Sequence, residues 1–375
     1  MRMSDPAATD AAAPSSPWLT KRSVIGLLIF LALLVFFLTQ TRLPAVLQKL
    51  PDLGNPTTAR DRSSFSFFID PASFPEPFRW VAFGLNLWDA NAIGMFFAVL
   101  LGGAASAALV PEVRLQNLLT KRGPLGAGLG GSLGLPLFMC SACSTPVSVG
   151  FFRSGASLET SLGMVLGSAL FNPVGIFAIF LLMPLEMALA RVGFGLIAIF
   201  LLVPMIAQGK RALELEHTAR RMPLTDSPIK PSGRDSWAAA TKDALKAWWM
   251  QTLQVSLRLV PAMFLAGFLV GAVLLFAQPQ TLSRFGAEGI AIVLIAALVG
   301  TLLQLPTLFE IPLVLGVIAL GLGLGPATAL LLTAPSSGIV TFLLLRRDLG
   351  WRIPAMLLGG TFALGSLAGL IVNTV

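Results

Sequence analysis

Tyrosine is absent from the 375 residues, histidine occurs once, cysteine twice, and only 12% of the chain is charged. Each shortage excludes something. A surface facing water carries roughly 25% charged residues, so a soluble enzyme or soluble nucleic-acid binder is excluded. Two cysteines close together in an apolar region, Cys140 and Cys143, cannot build a secreted disulfide framework. The lone His217 stands in the most polar segment, so neither a histidine-based metal centre nor a cofactor site is expected. Without tyrosine, tryptophan must supply the interfacial aromatic belt, and Trp18, Trp88, Trp248, Trp249 and Trp351 each stand just before an apolar run.

What is abundant is apolar sequence, 55% of the chain, gathered into runs that match about 30 Å of hydrocarbon. These runs predict an all-α polytopic membrane protein whose partners are the lipid bilayer and a small-molecule substrate, with no nucleic acid. Residues 1–20 read as a disordered cytoplasmic tail and 21–43 as a retained transmembrane anchor rather than a cleaved signal peptide. Residues 44–89 read as an external loop, 90–207 as a first transmembrane repeat, 208–247 as a basic cytoplasmic loop and 248–375 as a second repeat. The net charge of +8 is a topology signal. With the N-terminus cytoplasmic, eighteen of the 26 Lys and Arg fall on inside segments, whereas Arg191 is counted among the few outside. The expected location is the inner membrane, multi-pass. Arg153 and Glu159 are read as solvated interface residues without a role.

The two apolar sets resemble each other. The segment from Met95, MFFAVLLGGAASAALVP, shares Met, Phe, Ala, Leu, Gly, Ala and Pro with MFLAGFLVGAVLLFAQP from Met263. Further on, an offset of 166 pairs Gly134 with Gly300, Pro146 with Pro312, Gly150 with Gly316 and Gly155 with Gly321. Because the first copy starts outside and the second inside, the pattern predicts an inverted-topology repeat with re-entrant or broken helical hairpins. Runs 125–139 and 145–152 are too short to span and form the first hairpin. Its counterpart, about 287–305 and 311–320, turns at QLPTLFEIP.

The first turn reads Cys140-Ser141-Ala142-Cys143-Ser144-Thr145-Pro146. Thr followed by Pro is a helix start, so a half-helix is expected from about Thr145, with unpaired N–H groups and a positive dipole end at the turn. That end favours anions and makes Cys143 a candidate soft ligand or nucleophile; buried filler is the alternative for both cysteines. In the second turn Glu310 is an ionisable group inside an apolar segment and hence a candidate proton carrier. Breaks at Asn172-Pro173 and at Pro335-Ser336-Ser337-Gly338 would bring four interrupted segments to the centre. The expected substrate-binding set is Cys140, Ser141, Cys143, Ser144, Thr145, Asn172, Ser336 and Ser337. Gly126, Gly128 and Gly131 match a dinucleotide fingerprint, but no strand precedes them; Gly126, Gly130 and Gly134 instead form a small face for close helix packing.

The cysteine turn before proline, "GAS" at Gly155–Ser157, "SALFNP" at Ser168–Pro173 and "APSSG" from Ala334 resemble the predicted permeases that include the ArsP-type organoarsenical efflux permeases, over roughly residues 90–373. The resemblance implies a transporter rather than an enzyme, exporting a small thiophilic solute such as a trivalent organoarsenical, with the cysteines contacting it. A passive channel, or a thiol–disulfide oxidoreductase using Cys140 and Cys143, are the other readings.

Overall fold

The computed structural model describes residues 21–44, 47, 69–70, 73–108, 119–137, 139–153, 155–209, 236–276, 289–303, 305, 310–319 and 321–374. The tail at 1–20 and most of the two polar loops lie outside them. Among the described residues every regular element is a helix. An N-terminal helix, α1 (Lys21–Phe37), runs on as a π-helical turn to Arg42. Next come α2 (Arg79–Ala108), α3 (Gly123–Gly134), α4 (Ser141–Arg153), α5 (Leu158–Leu170), α6 (Pro173–Leu182) and α7 (Leu185–Ile197), the last continuing through a π turn to Ala207. The second set is α8 (Trp237–Phe276), α9 (Ile290–Leu303), α10 (Glu310–Ala319), α11 (Leu324–Ser336), α12 (Ile339–Leu349) and α13 (Arg352–Val372). Among the described residues five stretches are long and apolar enough to cross a bilayer: Val24–Thr41, Leu158–Leu182, Leu185–Ala207, Leu324–Leu349 and Arg352–Val372.

Each helix from α2 to α7 thus has a counterpart six places later, and the turns match in detail. Gly155 (φ 100°) and Gly321 (φ 94°) take the left-handed conformation directly after α4 and α10. In both turns the same pair of hydrogen bonds closes the helix: Gly155 to Phe152 and Ala156 to Phe151, then Gly321 to Ile318 and Leu322 to Val317. This is a glycine-dependent helix stop, and a side chain at either position would be strained.

The small-residue face behaves as its spacing implies. A Cβ added to Gly130 would collide with the Thr160 carbonyl, and one on Gly134 would come within 2.6 Å of the Ser168 amide. α3 therefore lies almost backbone to backbone on α5, as α9 does on α11. Both ends of the first hairpin meet at one end of the bundle: Ser157 donates its N–H to the Leu119 carbonyl (2.8 Å) and its hydroxyl to the Lys121 carbonyl (2.8 Å). The chain enters and leaves the hairpin side by side, and the arms pack on α5. With 12 to 14 residues, α3, α4 and α9 reach only about 20 Å, too short to span.

Three readings are corrected here. Glu159 is buried, not solvated, because its carboxylate accepts the Gly123 N–H at 3.1 Å and so caps α3. The half-helix α4 starts at Ser141, four residues before Thr145, with Pro146 inside it. Trp248 is not a bare interface anchor; its indole N–H donates to the Leu100 carbonyl at 3.0 Å and ties α8 to α2. Both α2 and α8 also begin well before their apolar runs, at Arg79 and Trp237, since helical propensity does not stop where hydropathy falls.

Candidate functional site

Four half-helices start in the interior. α4 begins beside Cys140, α6 at Asn172, α10 at Glu310 and α12 at Gly338. Asn172 caps α6, its side-chain oxygen accepting from Val174 (3.0 Å) and Gly175 (3.4 Å), with Pro173 at the first helical position. α4 and α12 pack side by side, as do their counterparts α10 and α6. Each hairpin tip is hydrogen-bonded to the matching helix break, with the donor on the helix in the first half and on the tip in the second. The Ser168 hydroxyl donates to the Met139 carbonyl (2.7 Å), and at the matching place Leu305 donates to the Ala334 carbonyl (2.9 Å).

Every residue of the expected binding set is buried: Cys140 5%, Ser141 0%, Cys143 2%, Ser144 0%, Thr145 0%, Asn172 4%, Ser336 0% and Ser337 2% exposed. The two thiols are not joined in a disulfide. They share an apolar cluster with Met139, Val147, Met164 and Val340, which brings the start of α12 into the same buried region. Several hydroxyls are engaged locally. Ser144 (3.2 Å) and Thr145 (2.6 Å) both donate to the Ser141 carbonyl, Ser336 donates to Leu332, and Ser337 bonds Thr361 at 2.8 Å. These bonds stabilise backbone that proline interrupts.

The main addition is Arg191 on α7. It is not an outside loop cation: its side chain is 2% exposed and reaches the crossing point. Its Nε donates to the Leu170 carbonyl at 3.2 Å and its Nη2 to the Ala169 carbonyl at 3.0 Å, both in the last turn of α5 where helical donors are missing. Nη1 donates to the Leu331 carbonyl of α11, which Pro335, four residues on and without an N–H, leaves unpaired. Nη2 also lies 3.5 Å from the Glu310 carboxylate, itself buried. One guanidinium therefore serves the broken helices of both halves and the carboxylate at the start of α10. A planar five-donor fork suits this; a lysine would not. The signal was in the sequence, as an arginine within the apolar run 187–207, and the reasoning that picked out Glu310 applies equally to it.

Helices that span, break in the middle and return half-way define a polytopic membrane protein of transporter type, with its polar groups gathered where the breaks meet. The chain belongs to the ArsP-type predicted permease family, whose model matches residues 85–374. It is similar to the UPF0718 protein YraQ of Escherichia coli, 25% identical over 292 residues, covering 77% of each chain. A shorter likeness, 28% over 134 residues, covering 36% of this chain and 37% of the relative, is to the UPF0718 protein MJ0584 of Methanocaldococcus jannaschii. No solved structure matches.

Proposed function

We propose that this permease is a secondary transporter of the inner membrane that exports a small thiophilic solute, of which a trivalent organoarsenical is the type, by alternating access around the crossing point. The observation that carries the reading is the placement of the chain's only two thiols, Cys140 and Cys143, at an interior half-helix start, on a cluster shared with the opposite half. Matched turns and half-helices support an inverted repeat, an arrangement suited to two interconvertible states. The charge distribution supports an N-terminus in the cytoplasm. Solute would meet Cys140, Ser141 and Cys143, with Ser144, Thr145, Asn172, Ser336 and Ser337 shaping the surrounding backbone. Glu310 carries the coupling proton, and Arg191 holds it in place.

Expression in a strain lacking arsenical export tests the substrate class. Growth on a panel of trivalent organoarsenicals, arsenite, antimonite and hard oxyanions should show several-fold protection confined to the thiophilic members. Equal sensitivity across the panel with and without the gene would remove the assignment. Glu310→Gln keeps an oxygen for Arg191 but cannot exchange a proton. It should lower folded yield, since Arg191 stays buried without its counter-charge, and at equal folded amounts reduce gradient-driven flux in vesicles to the passive level; retained gradient dependence would assign coupling to another group, and native flux indifferent to the gradient would indicate a channel.

A further inference from the structure

Where α4 and α12 end, Arg153 donates through Nε to the Asp348 carboxylate at 3.0 Å, and Nη2 completes the ion pair. Arg153 is the last residue of α4, and Asp348 stands one residue before the end of α12. The near ends of these helices meet at the cysteine cluster through Val340. The pair thus clasps the far ends of two helices whose beginnings line the proposed site, about 20 Å away by helical rise. At the offset of 166, the corresponding positions in the α6 and α10 pair are Leu182 and Ala319, neither charged. There Ala178, Ile179 and Met183 cluster with Val314 instead. Among the described residues the first end adds an ion pair to an apolar cluster in which Phe152 and Leu158 join Leu345 and Leu349, whereas the matching contact at the other end is apolar.

The setting of the clasp differs from that of Arg191. Side-chain exposure is 28% for Arg153 and 15% for Asp348, so water reaches the pair and competes with it. Such a bond contributes little to static stability, yet it breaks and re-forms at small cost. Other hydrogen bonds at this end stay within the first half, from Ser157 to Leu119 and Lys121 and from Gly123 to Glu159, while buried Phe152 and Leu158 pack with Leu345 and Leu349 across the halves. The ion pair likewise joins the two halves, across 195 positions of sequence.

We infer that Arg153 and Asp348 form the polar latch of a gate: their separation lets α4 and α12 part along the apolar contact of Phe152 with Leu345 and Leu349 and opens the centre to this end of the bundle. The inference rests on the proposed alternating access, but its test needs no solute. Cys140 and Cys143 are the only thiols in the chain and lie at the centre, so they report access without engineering. Reaction with a membrane-impermeant maleimide is timed in right-side-out and everted vesicles, with the Cys140→Ser, Cys143→Ser double variant as blank. Arg153→Ala and Asp348→Asn should each raise the labelling rate roughly fivefold, in one vesicle orientation only. About 1 M salt should do the same to the native chain, since screening then acts within a few ångströms. The exchange Arg153→Asp with Asp348→Arg should restore slow labelling, and Arg153→Lys should stay near native. Unchanged rates in both single variants, equal rises from both orientations, or fast labelling of a monodisperse Arg153→Lys variant would overturn the gate. Absence of arsenical transport with the labelling pattern intact would instead overturn the substrate reading and leave the gate standing.

Discussion

Replacing Arg191 by leucine should cost about 3–5 kcal/mol of stability, among the largest effects any single substitution in this chain can have. Two losses combine. The Glu310 carboxylate is left buried without the guanidinium 3.5 Å away, and the carbonyls of Ala169, Leu170 and Leu331 lose their donors inside an apolar bundle. An unmet buried polar group costs about 1–3 kcal/mol. Arg191→Lys should be nearly as damaging, because one ammonium cannot reach three carbonyls on two helices and a carboxylate on a third. Adding Glu310→Gln to Arg191→Leu should recover part of the loss, since the uncompensated charge disappears, but not all of it, since the carbonyls stay unmet. Melting of the detergent-solubilised protein, followed by monodisperse fraction against temperature, gives the cycle directly. A melting point for Arg191→Leu within a degree or so of native would refute the account of the crossing point.

The second large effect concerns the thiols. A trivalent organoarsenical with two hydroxyl groups reacts with two thiols to form two arsenic–sulfur bonds and release two waters, with no change of oxidation state. Release reverses the exchange. Serine in place of both cysteines keeps their size and burial but cannot form those bonds, so the Cys140→Ser, Cys143→Ser variant should fold as native and transport at the background rate. The structural setting favours reversible engagement over storage. Cys140 and Cys143 lie at the start of α4, whose positive dipole end stabilises developing negative charge on sulfur. They also share a buried cluster with Val340 of α12, so movement of α12 alters their surroundings.

Much of this arrangement was legible because proline and glycine mark it. The cysteine turn, the break at Asn172-Pro173 and the pairing of Gly155 with Gly321 are backbone signals, and backbone signals survive translation into structure: both glycines take positive φ. Charges were read less well. Counting Lys and Arg for topology treats each as a loop residue, which misplaced Arg191, a cation whose partners are carbonyls at helix breaks on α5 and α11. Glu159 was lost for a similar reason: its partner is the backbone N–H of Gly123, a bond that no charge pattern displays. The Arg153 and Asp348 pair was invisible because it joins residues from different halves. Helix starts at Arg79 and Trp237 were missed because hydropathy marks where lipid contact begins, whereas the helix extends into polar sequence. Cys140 stands just before α4 but Cys143 lies in its first turn rather than in a connecting turn, and the four-residue error in the start of α4 came from giving Pro146 the first helical position.

Accumulation of trivalent methylarsenic in everted vesicles under an imposed proton gradient, with native protein and the Cys140→Ser, Cys143→Ser variant at equal folded yield, tests the central claim most directly. The account predicts uphill accumulation by the native protein that collapses with the gradient, and none above empty vesicles for the variant. Equal accumulation by the two would contradict it.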